Sequence, residues 1–220
     1  MSGRPNTIGW AQDNVPAILH AWYPGTSGGH AVADVLFGDY NPSGKLPVTF
    51  PRTVGQVPIH YDMKRTGRPI ELGAKDAKYV SRYLDAPNTP LYRFGYGLSY
   101  TRFAYSPVTL GSASMGPGGS ITATATVTNT GSRAGEEVVQ LYIRDVVGSV
   151  TRPVQELKGF QKIALAPGES RVVSFTLRPE DLAFTRQDMS HGWEPGQFLL
   201  WIAPSSGAEA SVPVEFTVTP

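Results

Sequence analysis

From about residue 102 onward, apolar and polar positions alternate with a period of two. Ile121, Ala123, Ala125 and Val127 alternate with Thr122, Thr124, Thr126 and Thr128. Val139, Leu141 and Ile143 alternate with Gln140, Tyr142 and Arg144. The spacing recurs at Val173, Phe175 and Leu177, at Phe198, Leu200 and Ile202, and at Val212, Val214, Phe216 and Val218. Successive side chains of an extended chain point to opposite faces, so each stretch predicts a half-buried strand. Asn129-Thr130-Gly131, Ala166-Pro167-Gly168 and Glu194-Pro195-Gly196 supply turn chemistry between strands. Roughly seven short strands over such a length predict an immunoglobulin-like β-sandwich.

The first hundred residues follow no such period. Val15-Pro16-Ala17-Ile18-Leu19 reads as a buried strand, continued over Ile18 to Tyr23. Ala31, Val32, Val35 and Leu36 fall on one helical face and predict a helix over His30 to Phe37, ended by Gly38. Gly25, Gly28 and Gly29 permit a tight turn between the two elements. Asn41-Pro42-Ser43-Gly44 is a second turn. A helix this short does not hold itself together in water, so it must pack on something. Residues 52 to 90 are polar and irregular, a length of chain that usually forms a functional loop or a linker.

Composition narrows the function classes. With 220 residues, 40% hydrophobic and 17% charged, the chain suits one or two globular domains rather than a disordered segment. A formal net charge of +1 provides no long-range field, so neither nucleic acid nor a membrane is expected as a partner. Cysteine is absent, which excludes disulfides, thiolate catalysis and cysteine metal sites. Met1 to Pro5 has no apolar core of a signal peptide, so the chain as written is expected to stay in the cytoplasm. The Gly-rich segment Gly116 to Gly119 has no following Lys or helix and is not read as a phosphate loop.

Several longer motifs carry a resemblance. Trp22 to His30 reads Trp-Tyr-Pro-Gly-Thr-Ser-Gly-Gly-His, and Gly38 to Pro51 reads Gly-Asp-Tyr-Asn-Pro-Ser-Gly-Lys-Leu-Pro-Val-Thr-Phe-Pro. Val-Gly-Gln-Val-Pro follows at 54–58, Thr-Gly-Arg-Pro at 66–69 and Ser-Arg-Tyr-Leu-Asp at 81–85. Phe-Gly-Tyr-Gly-Leu-Ser-Tyr-Thr occupies 94–101, an aromatic, Gly-punctuated strand able to staple two domains. Ser-Val-Thr-Arg-Pro-Val-Gln-Glu-Leu-Lys-Gly-Phe lies at 149–160. Across essentially its whole length the chain resembles the C-terminal part of glycoside hydrolase family 3, the family of the periplasmic β-glucosidases.

The resemblance implies a mainly β fold with a small α/β part. Residues 1–101 would be the remnant of a truncated α/β sandwich with a long loop, and Met1 would sit inside a larger ancestral domain. Residues 102–220 would form a fibronectin type III-like β-sandwich. It also implies hydrolysis of terminal β-D-glucosyl residues with retention and without a cofactor. That chemistry needs two carboxyl groups roughly 5–5.5 Å apart. In the family the nucleophile is an Asp on an N-terminal barrel, and the acid/base Glu lies upstream of the segment matched here. Neither motif is present, so no catalytic residue carries over and the chain alone is not expected to be a competent retaining glucosidase. A β-glucoside or other saccharide would bind if an upstream catalytic part is present. A homodimer or a partner chain would cover the truncated domain. Full-length relatives are periplasmic or secreted.

Local residues offer further chemistry. Asp34, Asp39, Asp62, Glu71 and Asp85 are carboxylates without a fixed separation; Asp34 on the helix and Asp39 in the turn have ordinary solvated or backbone roles. Trp22, Tyr23, Tyr79, Tyr83 and Tyr92 can stack on a sugar face, although aromatic burial at a domain junction accounts for them more simply. Arg82 and Asp85 can hydrogen-bond sugar hydroxyls or form a surface ion pair. Trp22, Tyr23, Arg82 and Asp85 are therefore the substrate-binding candidates. Trp193 and Trp201 are assigned to the sandwich core or its rim. Gly25-Thr26-Ser27-Gly28-Gly29 fits the nucleophile-elbow pattern, where the family often carries an acidic residue at or beside Ser27. An esterase would take Ser27 as nucleophile and His191 or His60 as base; the simpler reading makes Ser27 a helix cap. A non-catalytic module binding carbohydrate or a partner is the remaining alternative.

Overall fold

The computed structural model of the protein describes residues 1–69, 78–207 and 212–220. Two helices come first, α1 (Gly9–Asn14) and α2 (Gly28–Phe37), and every strand follows residue 102. In chain order the strands are β1 (Phe103–Tyr105), β2 (Thr109–Leu110), β3 (Ser114–Met115), β4 (Ile121–Asn129), β5 (Gly135–Asp145), β6 (Glu156–Leu165), β7 (Ser170–Leu177), β8 (Phe184–Thr185), β9 (His191–Gly192), β10 (Gly196–Ala203) and β11 (Val214–Val218).

Two sheets stack into a β-sandwich. In one, β7 pairs with β4 from Ile121 to Thr128, leaving the other edge of β4 to β1 and β2 in succession. The other sheet runs β3-β11-β10-β5-β6, antiparallel except for the parallel β3-β11 pair. β8 and β9 form a separate ribbon. The alternation in β4 is complete: Ile121, Ala123, Ala125 and Val127 are buried while the intervening threonines are half-exposed. They meet Val139, Leu141, Ile143, Val173, Leu177, Phe198, Leu200, Ile202, Phe216 and Val218 in one core. Phe198 and Phe216 stack there with ring centroids 5.2 Å apart.

β5 breaks the alternation. Val139 to Ile143 are all buried, including Gln140 and Tyr142 on the face turned away from the core. That outer face, together with Trp201 on the paired position of β10, is roofed by the first hundred residues. Tyr61 meets Tyr142 edge-on and stacks on Phe94 at 4.3 Å. The Gln140 amide donates to the carbonyls of Gly95 and Pro204, and its oxygen accepts from the Tyr142 hydroxyl at 2.5 Å. Trp193 packs against the sandwich core.

The first hundred residues have little interior of their own. Among the described residues of that segment, Phe50 supplies the buried hydrophobic side chain, and α1 buries nothing. α2 begins two residues earlier than expected and ends at Gly38, whose φ of 85° is the left-handed conformation a side chain resists. Val32 and Val35 are half-buried, but Ala31, Leu36 and Phe37 are exposed. The strand expected over Val15 to Tyr23 does not form. The backbone there pairs with no ladder, and Ile18 and Leu19 are about two-fifths exposed. A strand needs a neighbour for its backbone groups, and these described residues offer none. Residues 94–101 staple the two regions without being a strand: Gly95 and Tyr96 exchange backbone bonds with Leu46. A Cβ on Gly97 would collide with the carbonyl of Gly44, so this close crossing requires glycine.

Candidate functional site

Around the crossing, side chains from both regions interlock. Asn41 donates to the carbonyl of Ala134 and accepts from the Ser99 hydroxyl and the Tyr100 amide. The Tyr100 hydroxyl donates to the Val35 carbonyl at 2.6 Å, and Arg133 donates to the carbonyl of Gly38. Thr101 donates to the buried Asn129, whose amide nitrogen reaches Arg133 and Leu165 carbonyls. Lys45 pairs with Glu137 at 2.9 Å, the side chains only 13% and 5% exposed. Tyr105 donates to the same carboxylate, and burial beside that negative charge pushes its phenol well up. A cleft of about 600 Å³ opens beside this pair. The sequence pattern did not single out Lys45, Glu137, Gln140 or Tyr142; the signal was polar residues in a strand whose outer face turns out to be covered.

The candidate carboxylates fall apart from one another in role. Asp34, Asp39, Asp62 and Asp85 are exposed, and Glu71 lies outside the described residues. Among the described acidic groups, Asp145 has its carboxyl pushed up from the ordinary value by desolvation, with Arg152 opposing the shift. A raised carboxyl is what a general acid needs. Asp145, however, is buried against Arg152 at 3.5 Å, and Arg152 also binds Glu156 and covers the ring of Phe184. That cluster organises the turn after β5. Its ion pair sits where a glycosidic oxygen has no access.

The sugar-binding candidates are dispersed. Trp22, in a positive-φ conformation, packs edge-on against His20 at 4.2 Å and near Phe50. Burial lowers the pKa of His20, and its Nε2 has no hydrogen-bond partner. Tyr23 is exposed, its ring lying over Gly3. Arg82 and Asp85 are exposed on a loop closed by Asn88, which bonds the Tyr83 amide and the Ser81 carbonyl. Tyr79 and Tyr83 share that loop, whereas Tyr92 pairs with Phe50 and stacks on Tyr96 at 5.4 Å.

Ser27 occupies the N-cap position of α2, exposed, with an unexceptional φ of −86° and no side-chain capping bond. The expected cap hydrogen bond is therefore missing; the turn is closed instead by the Gly28 amide donating to the Gly25 carbonyl. His191 lies in β9, its Nδ1 3.5 Å from the Thr185 hydroxyl, and His60 is exposed. Among the described residues no hydrogen bond joins Ser27 to either histidine.

Known proteins match both regions. The model of the glycosyl hydrolase family 3 C-terminal domain matches residues 1–100, and that of a fibronectin type III-like domain matches residues 137–206. The chain is 53% identical to a periplasmic β-glucosidase of Salmonella typhimurium, over 94% of this chain and 27% of that protein. It is 44% identical to a β-xylosidase of Formosa agariphila, over 99% of this chain and 29% of that one. The crystal structure of a β-glucosidase from Listeria innocua in complex with isofagomine superposes with a TM-score of 0.93 at 41% identity. That match covers 99% of this chain and 30% of the other. The chain thus spans less than a third of the length of the relatives it matches.

Proposed function

The chain belongs to glycoside hydrolase family 3, as its C-terminal domain joined to a fibronectin type III-like domain, and from that premise we propose that it works as the non-reacting part of a β-glucosidase-like hydrolase. We place the boundary between the two parts at residues 101/102. In this reading the reacting carboxyl pair comes from polypeptide corresponding to the remaining length of the relatives, and the substrate is a terminal β-D-glucoside. A periplasmic setting follows that of the Salmonella relative.

The observation that carries the reading is the unpartnered apolar surface of residues 1–101. Trp10, Tyr23, Leu36, Phe37, Val54 and Leu84 are each more than three-fifths exposed, while the sandwich, despite exposed positions such as Phe160 and Val172, buries a continuous core of large side chains. Exposed apolar area on this scale marks an interaction surface. Relatives with the same fold carry over twice this length again, which is enough chain to cover it. The sandwich braces the surface through the Asn41-Ala134, Lys45-Glu137 and Tyr61-Tyr142 contacts.

The test is complementation. The preceding portion of the Salmonella relative is co-expressed with this chain and assayed on an aryl β-glucoside. Activity is expected with both pieces and with neither alone. Turnover by the purified chain, lost on changing one of its own carboxylates, would overturn the reading. Labelling of Ser27 by a fluorophosphonate would replace it with the esterase. A stable homodimer that buries Leu36 and Phe37 would put a second copy in place of the catalytic part.

A further inference from the structure

We propose that the cleft of about 630 Å³ between α1, residues 91–96 and the loop after β10 is an accessory binding site for a pyranoside. Its volume falls within the range of small-ligand sites and accommodates one or two sugar rings. Tyr92 is held on both sides, edge-on by Phe50 and face-on by Tyr96, and its hydroxyl donates to the side-chain oxygen of Gln12. Tyr96 is thereby backed by a fixed ring and stays 37% exposed. A backed aromatic platform loses little side-chain freedom on binding, and the C–H face of a pyranose packs on it through apolar contact.

The rest of the lining supplies directional polar groups. Asp13 offers a carboxylate from exposed backbone of α1. Arg52 lines the same cleft with its guanidinium already pinned, donating to the carbonyl and hydroxyl of Thr89. Carboxylate and guanidinium groups match pairs of neighbouring hydroxyls, the acid accepting and the base donating. Arg93 lines the cleft as well, so two guanidinium groups and one carboxylate face a ligand there. Nothing in this cleft supplies a reacting carboxyl pair, so its role is retention of saccharide and not cleavage. The inference rests on the cleft alone and stands whether or not this chain docks to a catalytic part.

Titration of the full chain with methyl β-D-glucopyranoside and with cellobiose, followed by calorimetry and saturation-transfer NMR, tests it. Millimolar binding of at least one is expected, weakened about tenfold in Tyr96→Ala through loss of the platform. Asp13→Asn, a change on an exposed helix, is expected to weaken binding about threefold without moving the melting temperature. Trp10→Ala removes an exposed aromatic that does not line the cleft and leaves affinity unchanged. If Tyr96→Ala melts early, the Asp13→Asn comparison carries the result. No binding of either sugar at about 50 mM, or affinity in both cleft variants equal to that of the parent, overturns the proposal.

Discussion

The sandwich and the segment before it obey opposite rules. In the sandwich, each strand has neighbours to satisfy its backbone and a facing sheet to bury its apolar side chains. Among the described residues of 1–101, Phe50 is the buried large hydrophobic side chain, and two helices present Leu36, Phe37 and Trp10 to water. Both are rich in apolar residues, so composition does not separate them. What separates them is whether the partners of those residues lie within the described chain. The sandwich has a core of its own; the earlier segment is held in shape against it, through hydrogen bonds, one buried ion pair and the packing of Tyr61 on Tyr142 rather than through a separate core.

The contrast is sharpest at side chains of equal size. Phe198→Ala in the core should cost about 3–5 kcal/mol, read from urea unfolding, because a large cavity opens beside Phe216. A loss below about 1 kcal/mol would mean the sandwich is not close-packed. Next in size comes the interlock. Lys45→Met leaves the Glu137 carboxylate buried and unpaired and should cost about 3 kcal/mol, most of it recovered in the double variant with Glu137→Leu. Simple additivity of the two changes would show that the pair does not join the regions.

A smaller effect follows acidity. Ser149 and Arg186 hold the Glu194 carboxyl below its ordinary value of 4.5. A carboxyl with a depressed folded-state pKa stabilises the fold above its unfolded value, and that contribution disappears as pH falls through the folded value. Glu194→Gln should therefore lower the urea midpoint at pH 7, and the gap to the parent should shrink as pH falls below the ordinary carboxyl value; a constant gap would contradict the assignment. Smallest of all, Leu36→Ser with Phe37→Ser should leave the stability of the isolated chain within about 0.5 kcal/mol, since little is buried there. The same double change should reduce complementation with the preceding part of a relative. Full retention of complementation would remove these residues from the docking surface.

Much of the sandwich was legible in advance. Alternation at Ile121 to Thr128 and at Val173 to Leu177 places the strands, and the turns at Gly131, Gly168 and Gly196 separate them. β6 was not legible in this way: Phe160 is exposed and the apolar positions come late in the strand, so its pattern is weak. Gly38 announced the end of α2 because few residues adopt that conformation. The strand expected at Ile18 to Tyr23 had a suitable composition, yet strand formation is a property of pairs, and the pairing edge is not among the described residues. The chemical groups were harder still. Motifs named Trp22, Tyr23, Arg82 and Asp85, whereas Gln12, Asp13, Arg52 and Tyr96 converge on one cleft from segments more than eighty residues apart in the chain.

Periodicity and turn residues, then, determined by themselves which stretches become strands, because both act over a few neighbouring positions. The tertiary structure alone decided which faces are dry: Gln140 and Tyr142 sit on the polar side of β5 and are nonetheless buried, since a distant loop carrying Tyr61 and Phe94 folds over them. Local preference does not encode what another segment will cover, and water is excluded only when that segment arrives.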